Sequence, residues 1–60
     1  MKNTIKNLLK IFNEFELANK LGVSVATIKQ YKRGMQPNEE NKTKIKNLCI
    51  LHSVEVSDEV

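Results

Sequence analysis

Tryptophan is absent from this chain of 60 residues; cysteine and proline occur once each, glycine twice and aromatic residues three times. A lone Cys49 has no internal disulfide partner. With His52 as the single histidine, separated from it by only two residues, it makes too poor a ligand set for structural zinc, and a cytoplasmic setting is expected. So little proline and glycine leaves few places where helices must stop. No apolar run approaches the roughly 18 residues of a membrane span. Lys2, Lys6 and Lys10 are spread through the start, where a secretory leader would carry an apolar core. The chain therefore reads as soluble, with no address label and no membrane partner.

Catalytic constellations are missing as well. There is no nucleophile with a base, no metal cluster and no phosphate loop. Glu14 with Glu16, and Glu39 with Glu40, read better as first-turn acids that favour helix N-termini. A fold this short buries only about 60% of its unfolded surface, which leaves no room for a large internal cavity. One domain spanning residues 1–60 is expected, with no enzymatic activity, no cofactor and no small-molecule substrate.

What is present is basic charge, unevenly placed. The net charge is +3 and the isoelectric point about 9.2. Residues 1–33 hold six lysines and Arg33 against two glutamates, a net +5, whereas residues 34–60 come to −2. The first half is thus the one suited to a polyanion. A hydrophobic content of 40% with a mean hydropathy of −0.42 describes a folded chain with a polar surface.

Apolar residues recur at helical spacing, so the class is all-α. Ile5, Leu8, Leu9 and Phe12 predict a first helix over about residues 4–12, capped by Asn3 or Thr4. Asn13 followed by Glu16 fits a reciprocal cap, and a second helix continues through Leu17, Ala18 and Leu21 to a stop at Gly22. Ser24 caps a third helix that runs to Arg33 and ends at Gly34. After the loop around Pro37, a fourth begins at Asn38 or Asn41, turns Ile45, Leu48, Cys49 and His52 or Leu51 inward, and ends near His52. The tail is ambiguous: Val54 and Val56 alternate like a strand, and Ser57 with the acids after it suits a stub of helix at residues 57–60.

Leu17, Ala18, Leu21, Val23, Ile28 and Tyr31 all point inward across the sharp turn at Gly22, where a side chain is expected to find no room. That is a helix-turn-helix over about residues 14–33. With Ile28 and Tyr31 inward, Ala26, Gln30 and Arg33 fall on the opposite side of the third helix, flanked by Lys29 and Thr27. A small first turn can enter the major groove, where Arg or Lys reaches guanine and Gln pairs with adenine. Val25 or Ala26 suits a thymine methyl.

The segment from Phe15 to Gly34, with Leu17-Ala18, Leu21-Gly22-Val23-Ser24, Thr27-Ile28, Tyr31 and Arg33-Gly34, then Pro37, resembles the phage Cro/CI-type helix-turn-helix repressors and their small bacterial relatives. The resemblance covers roughly residues 4–56. It implies a four- to five-helix lambda-repressor-like domain that binds operator DNA as a two-fold dimer, with the third helix in the major groove. It assigns base contacts to Ser24, Val25, Ala26, Lys29, Gln30 and Arg33, and phosphate contacts to Asn13, Thr27, Lys32, Asn38 and Lys42.

Some residues depart from that family's pattern. Glu14 stands where a neutral amide usually grips phosphate, Glu39 and Glu40 lie where the fourth helix nears the duplex, and the loop after Gly34 is longer. Two other functions share the pattern: an excisionase-like architectural DNA binder, and a protein-interaction module such as an anti-repressor or adaptor. Leu51, Val54, Val56 and Val60 are expected to be exposed and to form a homodimer surface.

Overall fold

The computed structural model describes residues 1–57 and holds four helices: α1 Lys2–Leu8, α2 Glu14–Leu21, α3 Val25–Arg33 and α4 Glu39–Leu51. No strand occurs among the described residues. The stub of helix considered at 57–60 lies outside them except for Ser57, which is not helical. α1 and α2 pack on α3, and α4 packs on α2. Ile5, Leu8, Leu17, Leu21, Ile28 and Ile45 are fully buried at their centre, each worth about 1.5–3 kcal/mol of burial.

The middle helices follow their local signals. Asn13 Oδ1 accepts from the Glu16 amide (2.8 Å) while Glu16 Oε1 accepts from the Asn13 amide (3.1 Å), closing both halves of the capping box. Ser24 Oγ accepts from the Thr27 amide (3.1 Å), and Asn38 Oδ1 from the Asn41 amide (2.8 Å). At the end of α2 the Val23 amide reaches back to the Ala18 carbonyl and Gly22 turns left-handed, with φ +68°. The same closure recurs after α3, where Gly34 has φ +115° and the Met35 amide donates to the Gln30 carbonyl.

α1 departs from expectation at both ends. It starts at Lys2, capped by Met1 without a side-chain bond, and stops at Leu8. Thr4, expected as a cap, is buried, and its hydroxyl accepts from the Ser57 amide (3.1 Å). After Leu8 the chain tightens, with the Lys10 and Ile11 amides donating only three residues back. The next helix explains the early stop. Asn13 must be extended to cap α2, so the chain leaves the helix before Phe12.

The tail also differs from the surface expected of it. α4 ends in a third left-handed closure at Ser53 (φ +55°), with the Val54 amide donating to the Cys49 carbonyl (2.8 Å). Residues 54–57 then run extended beside α1, where Asn7 Nδ2 donates to the Glu55 carbonyl (3.2 Å) and to Ser57 Oγ (2.6 Å). Val54 and Val56 consequently pack against the core rather than facing a partner, while Leu51 is 75% exposed. Val60 lies outside the described residues.

Candidate nucleic-acid interface

The sharp link between α2 and α3 sets which side of α3 is free. Ile28 and Tyr31 are buried against α1 and α2, and the opposite side presents Ala26, Lys29, Gln30 and Arg33, all exposed. These are the residues on which helical spacing and the family resemblance coincide. Among the described residues, neither Lys29 nor Arg33 is paired with a carboxylate. Their charges face solvent at the second half and end of the helix.

The first turn is divided. Ser24 is exposed, but its hydroxyl lies 2.9 Å from Thr27 Oγ1 as well as capping the helix. Thr27 is half-buried at that contact. Val25 is half-buried against the core, because it stands three residues before Ile28 and shares its face. Ala26 is therefore the exposed small residue of this turn.

Apart from Thr27, the residues assigned to phosphate lie around the starts of α2 and α4, each of which is tied to the second half of α3. Asn13 sits exposed at the start of α2, where Glu14 reaches across to α3 and accepts from Lys32 Nζ (3.5 Å). Lys32 follows Ile28 by one helical turn, so its stem lies on the inward flank and its ammonium turns toward α2. Asn38 caps α4 beside Asn41, whose Nδ2 donates to the Tyr31 hydroxyl (3.0 Å). That bond fastens the beginning of α4 to α3. Lys42 Nζ lies 3.9 Å from Glu39, and Lys44 pairs similarly with Glu40 at 3.8 Å.

Two contributors escaped sequence reasoning. The Glu14–Lys32 pair joins residues on different helices, and no local spacing rule announces such a contact. Lys2 lies against the end of α3, its Cδ 3.8 Å from where a side chain at Gly34 would begin, which extends the basic surface past Arg33. The +5 excess of the first half pointed to charge there without placing it.

Away from α3 the surface is less polar. Phe15 on α2 and the adjacent Ile50 and Leu51 at the end of α4 are each at least 75% exposed. His52, expected with Leu51 as an alternative on the inward face of α4, is exposed like Leu51 and meets the Phe12 ring edge-on at 4.9 Å, and Lys20 Nζ lies 5.1 Å from the centre of that ring. Among the described residues no three acid, His or Cys side chains come together, and no helix is long and apolar enough to cross a membrane.

The fold and this surface define an all-helical, helix-turn-helix-like domain of four helices among its described residues. Comparison with protein-family models, with curated proteins and with solved structures finds no match to this chain.

Proposed function

We propose that this protein is a sequence-specific regulator of transcription, a repressor or Cro-like switch, that binds double-stranded DNA by placing α3 in the major groove. The observation that carries the proposal is the outward side of α3, with Ala26 small at its start and Lys29, Gln30 and Arg33 exposed beyond it. These residue types match what base edges offer: Arg or Lys to guanine, Gln to adenine, a methyl-sized residue to thymine. Lys2 beside Gly34 adds positive charge for the phosphates. The protein acts by occupying its site, in the cytoplasm, without catalysis or a cofactor.

In vitro selection from a random duplex library, followed by mobility-shift titration at several salt concentrations, tests the proposal. Enrichment of one site, with affinity falling steeply as salt rises, is expected. Equal weak binding to every sequence at every salt would overturn it.

A homodimer is part of the same proposal, with Ile50 and Leu51 as its apolar surface. Half-sites would then lie about 34 Å apart, one helical turn. Sedimentation with a selected two-half-site duplex should give two protomers per duplex, and Leu51→Glu should reduce this to one. The exposed Phe15, Ile50 and Leu51 also favour a second reading, a protein-interaction module on a repressor-like frame. Loss of all DNA binding together with a stoichiometric protein partner would select it.

A further inference from the structure

We propose that Glu14 sets the overall DNA affinity of this domain, by holding Lys32 in a neutral pair and so withholding one cation from the phosphates. This rests on the DNA-binding reading of α3. Lys29, Lys32 and Arg33 give that helix three positive charges, and the Glu14 carboxylate, 3.5 Å from Lys32 Nζ, offsets one of them.

The pair differs in kind from its neighbours. Lys42–Glu39 and Lys44–Glu40 are formed within one helix by side chains three and four residues apart, and their carboxylates stand 95% and 78% exposed. Glu14 instead bridges α2 to α3, and its side chain is only 31% exposed. Lys32 is adjacent to Arg33 on α3, so the pair stands beside a residue that would meet the duplex, and charges there act on it over about a Debye length, roughly 10 Å at 0.1 M salt. What the duplex meets there is a neutral pair in place of a free lysine. Non-specific and specific complexes share the phosphate attraction, so the effect is uniform across sequences and leaves discrimination to the exposed side of α3.

The experiment compares wild type, Glu14→Gln, Glu14→Ala and the double variant Glu14→Gln/Lys32→Gln. Each is titrated with a random-sequence duplex and with the selected site at about 50 and about 200 mM salt, conditions between which one added phosphate contact changes affinity by about three- to fourfold. Folding is checked by circular dichroism; the two neutral replacements guard against failure of either one. Both should bind both duplexes more tightly at low salt, by about fivefold, with a salt slope steeper by about 0.9. The double variant should return to the wild-type slope. Unchanged affinity and slope in a folded Glu14 variant, with wild type still binding its selected site, would overturn the inference and leave the DNA reading standing. Absence of binding by wild type to either duplex would overturn both.

Discussion

Arg33 and Lys10 carry the same charge in different settings. Arg33 ends the exposed side of α3, whereas Lys10 lies in the turn after α1. Arg33→Ala should weaken binding to the selected site by about 1–3 kcal/mol and relax one base preference. Lys10→Ala should weaken all sequences slightly, and competition titrations with single-base variants of the site separate the two effects. Cys49 is a residue of another kind: burial in the core pushes its thiol above the ordinary value. Unfolded, the thiol ionises at its ordinary value. Between that value and the raised folded value, the unfolded state releases a proton that the folded state keeps. This contribution to stability is complete below the unfolded value and declines as pH rises through the window. Urea titrations across that range should show a fall that is smaller in Cys49→Ala, and thiol reagents at neutral pH should label Cys49 only on unfolding.

Gly22 shows what residue-level reading attains and where it stops. The position was legible because a glycine after a short amphipathic run ends a helix. The expected reason, lack of room, does not hold. A side chain there would meet only Lys44 Nζ, at an ordinary 3.9 Å. The backbone conformation, φ +68°, is what requires glycine.

At the scale of elements, three helices end in the same left-handed closure, and two of them have glycine for it. The third has Ser53, which carries a side chain into a conformation costing about 1–2 kcal/mol. Opposite substitutions should therefore have opposite signs. Gly22→Ala should lower stability by about 1 kcal/mol, and Ser53→Gly should raise it by about 0.5–1 kcal/mol, less what the freer unfolded chain takes back. In a domain this small, 1 kcal/mol moves the melting temperature by roughly 4–8 °C, so calorimetry resolves both.

Caps made α2, α3 and the start of α4 readable, because Asn13, Ser24 and Asn38 each accept from the amide three residues ahead. α1 lacks such a side-chain cap, and its stripe of Ile5, Leu8, Leu9 and Phe12 continues past the true end of the helix. Periodicity there marked a buried face correctly and a helix boundary wrongly. The half-burial of Val25 and Lys32 also follows from spacing: each lies about one helical turn from the buried Ile28.

At the scale of the whole molecule, the 54–57 segment adds Val54 and Val56 to the packing around the core. Its attachment is polar: Asn7 holds Glu55 and Ser57, and Thr4 accepts from the Ser57 amide. Asn7→Ala should cost about 1 kcal/mol, as expected for lost hydrogen bonds. It should also speed exchange of the Ser57 amide more than that of α3 amides, measured by native-state hydrogen exchange. Equal acceleration in α3 would mean that the segment and the core open as one unit.

Composition, caps and period by themselves determined the all-helical class, the turn at Gly22 and the outward run Ala26, Lys29, Gln30 and Arg33. Each of these depends on residues within one or two helical turns of one another, which is the range over which backbone hydrogen bonds and side-chain spacing act. Tertiary structure decided the rest: the Glu14–Lys32 bridge, the Asn41–Tyr31 bond, and Val54 and Val56 folded back onto α1's side of the core. Those contacts, with the bonds that hold the tail beside α1, join residues 10 to 53 positions apart, and only the folded chain brings them together. The scarcity of proline and glycine left a chain free to be helical over most of its described residues. Only packing chose which cations stay on the surface and which are held.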